Sequence, residues 1–131
     1  MYIYSQSTGV LQRETGGEAT AIGTGYAGGD CGENPGGVNN PAMQEIHNVG
    51  PLPQGLYTIG VPVDHTKLGP QAFPLTPDPS NRMFGRSGFF IHADTAAQNH
   101  GASEGCIVMP GPVRAQIAAL IFLDDKLTVT G

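Results

Sequence analysis

Glycine or proline interrupts nearly every apolar run of this chain, and this pattern constrains the fold more than any other feature. The sequence holds 20 glycines and 11 prolines in 131 residues. Short apolar runs lie between them, as in GLYTIG at positions 55–60. Glycine permits positive φ and proline fixes φ, so both are typical of turns. The pattern predicts a loop-rich β protein that forms a single domain over residues 1–131.

The apolar runs predict a small number of short strands and one helix. A hairpin with its turn at Thr8-Gly9 is predicted near the start, and a further strand is expected at Ala72–Leu75, on a sheet edge before a long exposed loop. Pro112–Phe122 is the predicted helix, because its apolar residues recur at helical spacing. The predicted fold class is therefore mainly β, a sandwich or barrel with about seven strands and one packed C-terminal helix. The other predicted strands are 2–6, 10–13, 19–26, 56–61, 87–92, 106–109 and 126–130, with a loop at 27–40 and a helical turn within 41–48.

Charge and hydropathy exclude several kinds of partner. The net charge is −5 and the six basic residues are scattered, so no basic stripe is available for a nucleic acid backbone. No apolar run approaches the roughly 18 residues that a membrane span needs. The opening Met1–Gln6 lacks the basic start and apolar stretch of a signal peptide. We therefore expect no nucleic acid, no membrane span, and synthesis in the cytoplasm without a signal peptide.

The most informative stretch for chemistry is GRSGFFIHADTAAQNHGASEGCIVMP, positions 85–110. His92 ends one predicted strand and Cys106 opens the next. A neutral thiol is a poor nucleophile at neutral pH, so a catalytic cysteine needs a base or a field that lowers its pKa. If residues 93–101 fold back, the imidazole can reach the thiol. This arrangement indicates acyl transfer with Cys106 as nucleophile and His92 as its base.

Four neighbouring residues are candidates for supporting roles. Asp94 would orient the His92 ring, although a backbone carbonyl could do the same. Gly105 would allow a tight turn and, with the Cys106 N–H, stabilise an oxyanion. Ser103 would hydrogen-bond within that turn or touch substrate. Arg86 would clamp a substrate carboxylate or form a structural ion pair.

Other interpretations of the two cysteines remain open. Cys106 could be a small buried hydrophobe, and it could pair with Cys31, which lies in a flexible acidic loop. A zinc site built from Cys106, His92 and His100 is a further alternative, but the usual ligand spacings are absent. We predict no metal and no cofactor.

His92 together with Ser103-Glu104-Gly105-Cys106 resembles the motif of the L,D-transpeptidase catalytic domain of the YkuD type, which has an upstream histidine and a Ser-His-Gly-Cys. The segments YIYSQSTGVL, GPLPQGLYTIG, GRSGFFIHAD and ASEGCIVMP are similar to the Tlde1 (DUF2778) domain of type VI secretion effectors. The resemblance covers nearly the whole chain. The sequence departs from the wider family at Glu104, where that family has a histidine, and at Ile107-Val108-Met109, which replaces a polar residue.

The resemblance implies an L,D-transpeptidase type of fold and a cysteine enzyme that acts on peptidoglycan stem peptides. Its reaction would cleave the L,D bond between diaminopimelate and the terminal D-alanine, through an acyl-enzyme on Cys106. Water would complete a carboxypeptidase reaction, and an amine would give exchange or cross-linking. The resemblance also implies delivery to the periplasm of target bacteria as an antibacterial toxin, with secretion components and an immunity protein as partners.

Two other classes of function compete with this hypothesis. A cysteine endopeptidase or amidase of the NlpC/P60 kind ordinarily has its cysteine before its histidine, which is the reverse of the order here. A non-catalytic module that binds the cell wall would keep Cys106 only as a packed side chain. The function expected from sequence is therefore L,D-carboxypeptidase or L,D-transpeptidase activity.

Overall fold

The computed structural model describes residues 1–94 and 101–131, which form ten strands and one α-helix. No helix among these residues has the length and apolar character that crossing a membrane requires. Short 3-10 turns lie at Asp30–Gly32, Pro35–Gly37 and Pro41–Met43. The strands and the helix, in chain order, are β1 Tyr2–Ser5, β2 Val10–Thr15, β3 Glu18–Thr24, β4 Tyr26–Ala27, β5 Gly55–Ile59, β6 Val63–His65, β7 Gly69–Pro77, β8 Phe90–His92, β9 Ile107–Val108, α1 Gly111–Leu120 and β10 Lys126–Thr130.

The strands follow one another in the order β3-β2-β1-β10-β5-β7-β8-β9-β4, and β6 pairs with β7. The two ends of this order, β3 and β4, are separated along the chain by Gly25 alone. The sheet must therefore curve until its two ends approach each other. Two pairs are parallel, β1 with β10 and β8 with β9, and the remaining pairs are antiparallel.

The core forms from alternate residues of the strands together with one face of the helix. In β1 and β10 every second side chain is buried, as the period of a strand requires. Helix α1 contributes Val113 and Ile117 from its apolar face. The largest side chains that are fully buried are Tyr2, Tyr4, Tyr57, Phe73, Leu11, Leu52, Ile59, Ile91, Ile107, Met109, Ile117 and Leu127.

The structure confirms the mainly β fold class with one packed helix. The hairpin forms as predicted, since β1 and β2 pair antiparallel around the Thr8-Gly9 turn. The helix is present at Gly111–Leu120, and the last strand follows it. The helical turn expected within 41–48 is the 3-10 turn at Pro41–Met43. These elements carry strong local signals, and the tertiary contacts agree with them.

The expectation of a short edge strand at Ala72–Leu75 was wrong. Strand β7 has nine residues and lies between β5 and β8 in the sheet. Proline removes one N–H but leaves its carbonyl, and Pro74 accepts from the Gly60 N–H at 2.8 Å. The next N–H, of Leu75, donates to the Phe89 carbonyl at 2.9 Å. Pairing on both sides therefore carries the strand through its prolines. The three-residue strand β6, which pairs with β7, was not predicted.

The strand that ends at His92 is shorter than predicted. It begins at Phe90 rather than Ser87. Gly88, with a φ of 78°, interrupts the extended conformation before it. The count of about seven strands was also low, because several two- or three-residue strands form only through tertiary pairing.

Gly25 closes the sheet because its backbone lies against that of Val108. A Cβ at residue 25 would lie 1.8 Å from the Val108 carbonyl oxygen. We predict that Gly25→Ala lowers the free energy of unfolding by about 2–4 kcal/mol, measured by urea denaturation. Gly36→Ala is the matched control, since nothing lies within 4 Å of its Cβ position and its φ is not in the left-handed region. Equal stability of the two variants would contradict this account of Gly25.

Candidate active site

The parallel pairing of β8 with β9 brings the cysteine and the histidine together. Its register places Ile91 opposite Ile107 and His92 opposite Val108. One step earlier, Cys106 lies beside Phe90, and the Phe90 N–H points to Cys106 Sγ at 3.3 Å. Since side chains alternate along a strand, Cys106 and His92 project from the same face of the sheet. Sequence reasoning predicted this proximity without the strand register that produces it.

Cys106 and His92 border one cleft, which has a volume of about 210 Å³. Gly88 and Phe89, just before β8, form one wall beside the thiol. Glu104, from the turn that leads into Cys106, lies on another side. The cleft has room for a small peptide group beside Sγ. Its volume is below the usual range for sites that enclose a whole drug-sized ligand.

The Cys106 thiol is neutral at neutral pH in this structure. Its pKa is raised to about 11, mainly by burial; the hydrogen bond from the Phe90 N–H opposes this rise, and the nearby Glu104 carboxylate adds to it. Sγ also lies 3.8 Å from the Gly88 carbonyl oxygen, to which its proton can be directed. The site therefore does not hold a preformed thiolate, and a nucleophilic role for Cys106 requires a base.

His92 has the protonation state that such a base needs. Its ring is buried, with 2% of its surface exposed, and burial lowers its pKa. Nδ1 lies 2.7 Å from the Ala93 carbonyl oxygen, which can only accept, so Nδ1 carries the proton. Nε2 is then the unprotonated nitrogen of the neutral ring. Histidine of this tautomer can take a proton from a thiol through Nε2.

The orienting contact on His92 comes from the backbone, which is the alternative that the sequence left open. Asp94 lies two residues further on, and its Oδ1 accepts from the Tyr26 hydroxyl at 2.6 Å. The same hydroxyl accepts from the Ala102 N–H at 2.9 Å. Tyr26 thus connects the residues that follow His92 with those that precede Cys106.

Ser103 holds the turn in front of the cysteine. Its buried hydroxyl donates to the Cys106 carbonyl at 2.6 Å and accepts from the N–H groups of Gly105 and Gly28 at 3.0 and 2.9 Å. The geometry supports the role within the turn that was one of its two predicted roles. The Gly105 N–H is engaged by Ser103, so the predicted oxyanion contact can come only from the Cys106 N–H.

Gly105 is required at its position by space as well as by backbone conformation. Its φ is 135°, and a Cβ there would lie 2.4 Å from Arg86 Nη2 and 2.9 Å from the Phe89 ring. The expectation that residue 105 permits a tight turn into the nucleophile agrees with these values.

Arg86 is buried beneath this turn and donates to four backbone carbonyls. Nη1 bonds to the carbonyls of Gln44 and Pro51, and Nη2 bonds to those of Gly50 and Glu104, at 2.7–3.1 Å. These bonds use all four Nη hydrogens of the guanidinium. The geometry therefore favours a structural role for Arg86 over a carboxylate clamp. Its partners are carbonyls and not the carboxylate that an ion pair would need.

Among the cleft residues that were not predicted as part of a site are Cys31 and Lys67. Cys31 lies in the 3-10 turn at Asp30–Gly32, and its thiol donates to Glu104 Oε1 at 3.4 Å. Its N–H donates to the Ser103 carbonyl, which attaches the glycine-rich loop to the nucleophile turn. Both cysteines are free thiols. Lys67, from the β6–β7 turn, also lines the cleft. No sequence motif marks either residue.

Metal ligation was an alternative at this site. Within residues 1–94 and 101–131, no group of three or more His, Cys, Asp or Glu side chains is placed to hold a metal ion. His100, the third residue of the zinc alternative, lies outside the described residues.

The fold and the site define a small, mainly β domain that presents a cysteine and a histidine in one cleft. The sequence matches the family model of the Tlde1 domain over residues 31–130. The chain therefore belongs to the Tlde1 domain family. Comparison with curated proteins gives no match.

Solved structures show that the fold is of the L,D-transpeptidase type. The chain is similar to an L,D-transpeptidase from Mycobacterium smegmatis, with a TM-score of 0.53, 15% identity, and coverage of 99% of this chain and 58% of that one. It is also similar to Bdellovibrio bacteriovorus Bd1075, with a TM-score of 0.61, 19% identity, and coverage of 98% of this chain and 46% of that one. The chain thus spans about half the length of these neighbours.

Arg86 should be the most important polar side chain for stability near the site. We predict that Arg86→Met lowers the free energy of unfolding by at least about 3 kcal/mol, because several buried carbonyls lose their donors. Arg82→Met is the control: Arg82 is exposed over the Phe84 ring at 5.1 Å, and its loss should cost less than about 1 kcal/mol. Denaturant titration of both variants checks this, and similar losses would contradict the role given to Arg86.

Proposed function

We propose that this domain is a cysteine enzyme that cleaves the L,D bond between diaminopimelate and the terminal D-alanine of peptidoglycan tetrapeptide stems. The observation that carries the proposal is the placement of Cys106 and the His92 ring on one face of the β8–β9 pair, beside a common cleft. Membership of the Tlde1 domain family and the fold shared with an L,D-transpeptidase support the substrate class.

In the first step His92 Nε2 takes the proton from Cys106 Sγ as the sulfur attacks the carbonyl carbon of the scissile amide. A C–S bond forms and the carbonyl oxygen becomes an oxyanion, for which the Cys106 N–H is the donor candidate. The intermediate collapses when the C–N bond breaks. His92 returns the proton to the departing amine, so D-alanine leaves and a thioester remains on Cys106.

In the second step a nucleophile attacks the thioester with His92 again acting as base. Water gives a tripeptide stem and completes an L,D-carboxypeptidase reaction. The amine of a D-amino acid or of another stem restores an amide and completes a transpeptidase reaction. Both outcomes return Cys106 to its thiol, and neither consumes a cofactor.

The proposal extends to where the reaction occurs. The motifs shared with type VI secretion effectors support delivery to the periplasm of target bacteria, where the enzyme would act as a toxin. A periplasmic immunity protein would then protect the producing cell. These parts of the proposal rest on the family resemblance, and the chemistry at Cys106 is independent of them.

Removal of the thiol should abolish catalysis without unfolding the domain. We predict that the purified protein converts disaccharide tetrapeptide to disaccharide tripeptide, detected by mass spectrometry. Cys106→Ala should reduce the rate by at least about a thousandfold, because the covalent pathway is lost. Cys31→Ala removes the other cleft thiol and should keep activity within about tenfold. Circular dichroism confirms that both variants are folded.

The same experiment separates the competing functions. Added glycine or D-methionine reports exchange through the mass of the modified stem. Cleavage within the stem or at the glycan would indicate an endopeptidase or amidase instead. Binding to peptidoglycan without any product would indicate a wall-binding module. A fully active Cys106→Ala protein would end the proposal.

At acid pH, the pH dependence of kcat/KM should follow the titration of the buried His92 imidazole. Burial lowers the pKa of His92, and the base form is present above that pKa. We therefore predict that kcat/KM rises with pH through a midpoint below about 6.5, the ordinary value for histidine. The measurement is kcat/KM between pH 4 and 8 on disaccharide tetrapeptide. A midpoint above 7 would argue against a neutral His92 as the base.

A further inference from the structure

A second cavity lies on the other side of the His92 strand end. It has a volume of about 420 Å³, larger than the cleft beside Cys106. Its walls come from the β3–β4 junction, the ends of β8 and β9, and the first turn of α1. Neither Cys106 nor His92 lines it. The cavity is therefore a separate space that no step of the proposed reaction uses.

Arg114 is a buried cation in the wall of this cavity. Only 7% of its surface is exposed. Nη1 donates to the Met109 carbonyl at 2.9 Å, and Nε is buried without a hydrogen-bond partner. The structure records no ion pair for Arg114 within the described part of the chain. Nη2 donates to no acceptor among the described residues, so a ligand in the cavity can accept from it.

The N-terminus of α1 adds a second source of positive potential to the same wall. The helix has ten residues, and its N-cap residue Pro110 provides no side-chain hydrogen bond. The N–H groups of Val113 and Arg114 both turn back to the Pro110 carbonyl, and Pro112 has no N–H. The Gly111 N–H has no acceptor within residues 1–94 and 101–131, so it can donate to a ligand. A helix N-terminus and a guanidinium together favour an anion.

Among the described residues, a negative charge also lines this cavity and bears on the kind of anion. The Asp94 carboxylate lines the same space, with its Oδ1 accepting from Tyr26. A nearby negative charge disfavours a dianion such as phosphate. It favours a ligand that carries a positive group beside a carboxylate. The volume is large enough for an amino acid or for the last residues of a peptide.

We propose that this cavity binds the carboxylate of a free α-amino acid, through Arg114 and the Gly111 N–H. The charge of Asp94 would then lie on the side of the ligand's amino group. The expectation that the natural ligand is D-alanine or a related D-amino acid rests on the proposed function. Binding of a carboxylate at Arg114 does not depend on it.

Titration of the Cys106→Ala protein with D-alanine, followed by amide NMR shifts, tests the site without any acyl chemistry. We expect saturable shifts at Gly111 and Tyr26, with a Kd of about 1 mM for so small a ligand. D-Alaninamide lacks the carboxylate and should cause no saturable shift there. N-Acetyl-D-alanine keeps the carboxylate but lacks the charged amino group, so it should bind more weakly, and equal binding would contradict selection of an amino acid by Asp94.

Variants at Gly111 test the charge requirement without disturbing the buried arginine. Nothing lies within 4 Å of a Cβ at Gly111, so both alanine and aspartate fit. Gly111→Asp places a negative charge at the anion position and should weaken binding at least about tenfold relative to Gly111→Ala, which adds a side chain without the charge. Arg114→Gln should weaken binding similarly, with folding checked by its NMR spectrum.

Several results would overturn this inference. Equal binding of D-alanine and D-alaninamide would show that the ligand's carboxylate is not recognised. Equal affinity of the Gly111→Asp and Gly111→Ala proteins would show the same. Shifts confined to Gly88 and Glu104 would place the ligand in the Cys106 cleft instead. Absence of any saturable shift would also end it. Failure of the muropeptide assay would leave each of these outcomes unchanged, since binding is measured on a protein without the nucleophile.

Discussion

The site depends on a short parallel pairing between β8 and β9. Its register, Ile91 with Ile107 and His92 with Val108, decides which face the cysteine and the histidine share. So short a ladder contributes little stability alone. The surrounding polar contacts must hold it, and two buried side chains do so. Ser103 fixes the turn into Cys106, and Arg86 joins that turn to the backbone at residues 44–51. Buried hydrogen bonds thus hold in place the register that the strand pairing sets.

Burial has the same effect on both reactive side chains, which is to favour the uncharged form. It raises the pKa of Cys106 to about 11 and lowers that of His92. Both shifts favour a neutral thiol beside a neutral imidazole over a thiolate–imidazolium pair. Proton transfer from the thiol to His92 then occurs during the reaction, as the sulfur attacks the substrate carbonyl. A resting thiol of this kind is also less exposed to oxidation, because oxidation follows thiolate character.

Sequence reasoning succeeded where one local signal determines the structure. Strict alternation predicts β10, and an apolar stripe at helical spacing predicts α1. Gly105 was expected to form a tight turn from its residue type alone. The predicted position of β7 was wrong. Its prolines indicate an edge strand, but pairing on both sides places it inside the sheet. Arg86 was predicted as a possible substrate clamp. The sequence cannot show that four carbonyls from distant segments surround its guanidinium.

Tyr26 links the two cavities that flank the end of β8. Its hydroxyl donates to Asp94 and accepts from the Ala102 N–H, so it joins the chain after His92 to the chain before Cys106. Asp94 lines the cavity beside Arg114, and Ala102 lines the cleft beside Cys106. The hydrogen bond from Tyr26 to Asp94 therefore shares its hydroxyl with the contact that holds the chain before Cys106. The wall of one cavity and the approach to the nucleophile thus meet at the same buried phenol.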